Sequence, residues 1–281
     1  MRWSRFWSRS PTLPEGGWPA QRILLIGASG GIGQALVDEF TAAGARLLIS
    51  GRRTEVLTAL AQRHPEQVTA LTADLTRPEE RRRLAAAARE LGCNMLVNAA
   101  GVNRVGLFEA CSDDEIERLI STNLTAPLQL TRALLPVLLE AKHGWVVNLG
   151  STFGIIGYPG QVGYCATKFA LRGFSQALRR ELADTRIHVL HVAPRATHTA
   201  MNAPEVVAMN RELGNAMDPP ARVALEVRRA IERGREETQL GRPERLFTRL
   251  NGLVPMLVDR ALKRQLPIIR RFVGTPREEL S

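Results

Sequence analysis

The chain has 281 residues, 44% hydrophobic and 23% charged, an ordinary composition for a soluble globular protein with one sizeable core. Its formal net charge is +10, but the basic residues are scattered over many predicted helices and no nucleic-acid-binding motif accompanies them. Nucleic acid is therefore excluded as a partner, and the charge is better suited to attracting anionic cofactors or anionic lipid surfaces.

Three cysteines, Cys93, Cys111 and Cys165, lack metal-ligand spacing, and their odd number argues against a disulfide framework. The expectation is no metal and a reducing cytoplasmic setting. No apolar run is long enough to span a bilayer, and the N-terminus lacks the apolar middle region of a signal peptide.

Residues 1–21 are rich in Pro, Ser and Trp and predict an irregular segment. From there apolar runs alternate with helical spacing. Strands are predicted at 23–26, 47–50, 68–73, 95–98, 145–149, 187–192 and 238–240. Helices are predicted between them at 31–43, 53–63, 77–91, 115–141 (with Pro127 and Pro136 as interruptions), 161–184 and 219–234. Continuous apolar strands alternating with helices imply an α/β fold, a Rossmann-like doubly wound parallel sheet in three α/β/α layers. One domain over 22–241 is expected, with a C-terminal helical extension over 242–281.

The first strand runs into Gly27-Ala28-Ser29-Gly30-Gly31-Ile32-Gly33 and then a helix. Glycines let this backbone turn tightly and approach a pyrophosphate, while the helix N-terminus offers free N–H groups to it. Gly27, Ser29, Gly31, Ile32 and Gly33 are thus candidate cofactor contacts. The second strand ends in Ser50-Gly51-Arg52-Arg53, without the carboxylate that would accept from a ribose 2′-hydroxyl. Guanidinium suits a 2′-phosphate instead, so NADP(H) is expected, with Arg52 as the clamp. The alternative is a solvated helix start. Asp74 ends the third strand, where it serves either the adenine amino group or a helix N-cap.

Tyr164 and Lys168 stand at i,i+4 on a predicted helix, one turn apart. An ammonium beside a phenol favours phenolate, and lowering the phenol pKa by two to three units takes roughly 3–4 kcal/mol. Ser151 follows the fifth strand, at the carboxyl edge of the sheet where ligands of such folds bind. Its hydroxyl is placed to donate to a substrate carbonyl while Tyr164 delivers a proton.

With these residues the chain resembles the short-chain dehydrogenase/reductase family over about 22–240. The motifs occur in the family's order: Gly27 to Gly33, Asn98-Ala99-Ala100-Gly101, Asn123 in Thr122-Asn123-Leu124, Ser151, and Tyr164 to Lys168. The resemblance implies hydride transfer between a nicotinamide and a small-molecule carbonyl or alcohol. It makes Tyr164 the general acid and base, and Lys168 the group that binds the nicotinamide ribose and depresses the Tyr164 pKa. Ser151 would polarise the carbonyl, and Asn123 would kink its helix and hold a relay water. Asn98, Gly101, Pro194 and Thr199 would contact the cofactor. A homo-oligomer, dimer or tetramer, is also implied. The chain departs from the family's usual pattern at Ile26 (Thr), Ala99 (Asn) and Arg195 (Gly). Arg195 points either into the substrate entrance, drawing an anionic group, or to solvent. A non-catalytic NADP(H)-binding regulator on the same fold is the rival reading.

Residues 195–218 contain Met201, Val206, Val207, Met209, Leu213 and Met217. They suit a greasy pocket for an acyl or other lipid-like substrate, or else simple packing. Over 242–281 apolar residues recur at helical spacing among eight Arg or Lys up to Arg271. Such a segment packs on the body or a second subunit, or makes peripheral contact with an anionic membrane. Trp3, Phe6 and Trp7 with their neighbouring Arg residues would supply a second interfacial anchor.

Overall fold

The computed structural model describes residue 13, residues 16–141 and residues 143–273. Trp3, Phe6 and Trp7 lie outside the described residues, so the N-terminal anchor does too. The 1–21 segment is described mainly at its end, where Trp18–Ala20 forms a 3₁₀ turn.

Among the described residues seven parallel strands make one sheet: β1 (Arg22–Ile26), β2 (Arg46–Gly51), β3 (Val68–Thr72), β4 (Met95–Asn98), β5 (Gly144–Leu149), β6 (Ile187–Ala193) and β7 (Glu237–Gln239). Their order is β3-β2-β1-β4-β5-β6-β7, and every pairing is parallel. The central strands are apolar on both faces because helices cover both. On one face Ile23, Leu25, Val97, Val147 and Leu190 pack against α1 (Gly31–Ala42), α2 (Thr54–Arg63) and α8 (Pro220–Glu232). On the other, Leu24, Ile26, Leu96, Val146 and Val189 meet α3 (Pro78–Leu91), α5 (Ala126–Glu140) and α6 (Val162–Glu181). The strand order reverses between β1 and β4, which opens a crevice at their carboxyl ends.

Two stretches differ from the sequence expectation. The single helix over 115–141 is α4 (Asp113–Ile120), a π turn (Ser121–Thr125) and α5. A reciprocal Ser112 and Glu115 capping box starts α4. Pro127 does not interrupt anything; it sits in the first turn of α5, where its missing N–H costs no hydrogen bond. The loop over 195–218 contains a helix, α7 (Pro204–Glu212). The C-terminal stretch forms α9 (Arg242–Leu253) and α10 (Pro255–Val273). The inner face of α10 packs Val258, Leu262 and Ile269 against Val206, Met209, Ile156 and Tyr158.

Candidate active site

The crevice at the strand ends is a cleft of ≈ 540 Å³. Its floor includes Gly27, Ser29, Gly31, Ile32 and Gly33, all from the turn between β1 and α1. Gly27 takes φ +82°, and a Cβ there would strike the Ala100 backbone at 2.5 Å. A Cβ on Gly31 would sit 2.7 Å from Thr199 Cγ2, which brings the loop after β6 over the glycine turn. The bare backbone is therefore a consequence of how closely three strand ends converge, and it leaves the N-terminus of α1 accessible to a phosphate.

At the end of β2, Arg52 and Arg53 both line the cleft, but they are not equivalent. The Arg53 guanidinium donates to the Ser29 carbonyl and braces the turn. Arg52 is exposed and has no hydrogen-bond partner among the described residues; its charge helps draw the nearby Asp74 carboxyl below its usual range. Asp74 is not a helix N-cap. Its Oδ1 accepts from Thr76 N (2.9 Å) and Thr76 Oγ1 (2.7 Å), while Arg77 occupies the cap position of α3. Burial raises the Asp74 pKa, and the Thr76 bonds with Arg52 and Arg77 more than reverse it.

Ser151, Tyr164, Pro194 and Thr199 line the other half of the cleft. Ser151 leaves β5 in extended conformation and its Oγ accepts from Phe153 N at 3.1 Å. Tyr164 projects from the first turn of α6, close enough for Ser151 to hydrogen-bond its hydroxyl. Burial around that hydroxyl pushes the Tyr164 pKa up to about 12, with the Ser151 bond opposing the rise. Lys168 is buried one turn on. Its Nζ donates to Leu149 O at 2.9 Å and lies 5.6 Å from the centre of the Tyr164 ring. Burial pulls the Lys168 pKa down to about 8. Burial thus acts on the Tyr164 hydroxyl in the direction opposite to that expected of the Lys168 ammonium. Desolvation dominates both residues and drives each toward its neutral form.

Asn123 sits in the π turn and is fully buried. Its side chain is spent on structure: Oδ1 accepts from Val102 N (2.8 Å), and Nδ2 donates to Val102 O (2.9 Å) and Thr167 Oγ1 (3.1 Å). It ties the Gly101 segment to the helix that carries Tyr164 and Lys168. Asn98 needs a correction as a cofactor contact. Its side chain is buried beneath the cleft, donating to Asn148 Oδ1 at 2.8 Å; Ala99, Ala100 and Gly101 reach the surface of the cleft instead. Asn148 in turn donates to Ser175 Oγ at 2.9 Å, so a buried polar chain links β4, β5 and α6.

Arg195 lines the cleft, but its guanidinium is held by carboxylates of the protein itself. Its Nε and Nη2 donate to the two Asp218 oxygens at 2.9 and 2.8 Å, and Nη1 meets Glu244 at 3.4 Å. The guanidinium clasps the loop after β6 to the start of α8 and α9. Asp218 escaped notice in the sequence because it stands 23 residues from its partner with no motif around it. Phe153 and Tyr158, also missed, stack at 4.6 Å and wall the cleft beside Val206 and Met209. Met201 lines the cleft as well, whereas Leu213 packs behind it and Val207 and Met217 do not reach it.

Residues 21–209 match the family described as short chain dehydrogenase. The chain is 38% identical over 183 residues to nodulation protein G of Rhizobium sp. (strain N33), covering 64% of this chain and 75% of that protein. It is 33% identical over 180 residues to the 3-oxoacyl-[acyl-carrier-protein] reductase FabG of Escherichia coli (strain K12), covering 63% and 74%. A short-chain dehydrogenase structure from Streptomyces avermitilis superposes with a TM-score of 0.75 at 32% identity, covering 87% of this chain and 98% of that one.

Proposed function

Since the chain belongs to the short-chain dehydrogenase/reductase family of nicotinamide-dependent oxidoreductases acting on alcohols and carbonyls, we propose that it is an NADP(H)-dependent carbonyl reductase with Tyr164 as the proton donor. The observation that carries this reading is the convergence of Ser151 and Tyr164 on the same cleft as the glycine turn.

The residues fit the cofactor. The glycine turn and the N-terminus of α1 would hold the pyrophosphate, and Arg52, free of other hydrogen bonds, would take a 2′-phosphate. Asp74 keeps acceptor capacity on Oδ2 toward an adenine amino group. Pro194, Thr199, Gly101 and Lys168 would surround the nicotinamide ribose end. When bound, the cofactor would supply the hydride that reduces the carbonyl carbon.

Ser151 Oγ donates to the substrate carbonyl oxygen and polarises it. Tyr164 would transfer its hydroxyl proton to that oxygen, completing the alcohol. A phenol pushed up to about 12 is protonated at neutral pH, so the group is loaded for reduction. Lys168, buried below Tyr164 and bonded to Leu149 O, would return a proton to Tyr164 between turnovers. The apolar wall of Met201, Val206, Met209, Phe153 and Tyr158 suits an acyl or other lipid-like skeleton, as does the likeness to a 3-oxoacyl reductase. In this reading 22–241 is the catalytic domain, and the enzyme works as a homo-oligomer in the cytoplasm.

The test is NADPH oxidation across ketones and aldehydes of graded chain length, with Tyr164→Phe beside the wild type. We expect turnover to rise with chain length, and the variant to lose at least roughly a hundredfold in kcat while binding NADPH within about threefold of wild type. No turnover with any carbonyl, despite tight NADPH binding, would instead favour the non-catalytic regulator.

A further inference from the structure

We propose that α9 and the elbow joining it to α10 form a docking surface for an anionic phospholipid bilayer. The described helices contain none long and apolar enough to cross a membrane, so the contact would be peripheral.

The first observation is apolar exposure: of twelve large exposed hydrophobic side chains among the described residues, six lie between Leu246 and Leu257. Leu246, Leu250 and Leu253 share one side of α9, and Val254, Met256 and Leu257 continue the patch through the elbow. Leu253 is 80% exposed and Met256 67%. These six aliphatic side chains follow one another through α9 and the elbow, each at least 37% exposed. A protein partner needs shape complementarity, whereas the interfacial zone of a bilayer admits protruding aliphatic groups.

The second observation is charge. At 100° per residue, Arg242, Arg245 and Arg249 form a stripe directly beside the leucine stripe, while Thr248 is buried on the far side. The same three arginines line a groove of ≈ 400 Å³ with Arg222, Arg233 and Arg235. The carboxylates of that groove are already engaged: Asp218 with Arg195 and Arg222, Glu226 with Arg229, Glu237 with Arg172. The groove therefore presents surplus guanidinium toward the headgroup level. On α10, Arg260, Lys263 and Arg264 are exposed beyond the elbow and extend the basic rim. From 242 to 271 there are eight Arg or Lys against two carboxylates, Glu244 and Asp259. A second copy docked on this surface would bring a second excess of basic side chains close to the first.

The opposite face of α10 shares an apolar cluster with Tyr158, Val206 and Met209 of the cleft wall. Seating the elbow in lipid would hold that wall near the bilayer, a route for an apolar carbonyl to reach the cleft. This consequence rests on the proposed reaction; the docking does not.

The experiment is co-sedimentation of the full chain with phosphatidylcholine vesicles, with and without phosphatidylglycerol. Binding is expected to the anionic vesicles at low salt and to weaken at high salt. Leu253→Asp with Met256→Asp should weaken it at least about tenfold. Replacing Arg242, Arg245 and Arg249 by Gln should weaken it roughly fivefold per charge and flatten the salt dependence. All five positions are on the surface, and turnover of a water-soluble carbonyl, measured in parallel, reports the reaction separately. The proposal is overturned if the wild type stays in the supernatant, or if the apolar double variant binds as wild type does. It is equally overturned if that variant only splits a dimer, seen by light scattering, with no vesicle binding in either protein.

Discussion

Replacing Arg195 by Gly installs the residue the family generally carries beside the nicotinamide, yet here it should destabilise the protein. Arg195 is 14% exposed in its side chain and Asp218 3%, and the two are joined by a bidentate pair at 2.8 and 2.9 Å. Removing one partner of a buried pair typically costs about 3–5 kcal/mol, because the remaining charge is left without compensation. Arg222 stays 3.2 Å from Asp218 Oδ1, but its side chain is 59% exposed and offsets only part of the loss. Glycine adds a fraction of a kcal/mol in backbone entropy. The net expectation is about 3 kcal/mol, or a fall in Tm of roughly 6–12 °C for a chain of this size. Urea unfolding at neutral pH measures it, and the same substitution in an Asp218→Asn background measures the coupling. A loss below about 1 kcal/mol, or an equal loss in the two backgrounds, would show that the clasp is not what orders the loop after β6.

Other outcomes follow from the same geometry. Arg52→Ala should weaken NADPH binding by about tenfold to a hundredfold and leave NADH nearly unchanged, since one charge-assisted bond to phosphate contributes roughly 1.5–3 kcal/mol; fluorescence titration with both cofactors checks this, and equal weakening would remove the 2′-phosphate role. Lys168 has a folded pKa of about 8 against an ordinary 10.5, so between these values the unfolded chain binds more protons and stability rises with pH. From pH 8 to 9 the wild type should gain about 1 kcal/mol relative to Lys168→Met, read from paired urea melts; a constant difference would mean that Lys168 is not desolvated. Arg53→Ala should loosen the turn held at Ser29 O and weaken NADH and NADPH alike, in contrast to Arg52→Ala.

Local order along the chain was readable wherever one physical rule dominated. The strands announced themselves because a sheet covered on both faces demands unbroken apolar runs such as 23–26 and 145–149, and the glycine turn because only glycine tolerates that approach of backbone to backbone. The helix over 115–141 differs in detail from its sequence pattern, since nothing in Ser-Thr-Asn-Leu-Thr marks a π turn locally. The turn exists because Asn123 bonds to Val102, 21 residues away. Asn98 looked like a cofactor contact from its motif, but which side of the cleft floor it faces depends on Asn148, on a neighbouring strand.

The sequence by itself determined the alternating α/β order, the glycine cradle, the Arg in place of a carboxylate after β2, and the one-turn spacing of Tyr164 and Lys168. These are short-range facts, set by backbone sterics and helix periodicity. Only the tertiary structure decided the protonation tendencies of Tyr164 and Lys168, the capture of Arg195 by Asp218, and the folding of α10 against the cleft wall. Each depends on how much water is excluded and on which distant groups are brought within a few ångströms, and neither quantity is a property of any segment of the chain alone.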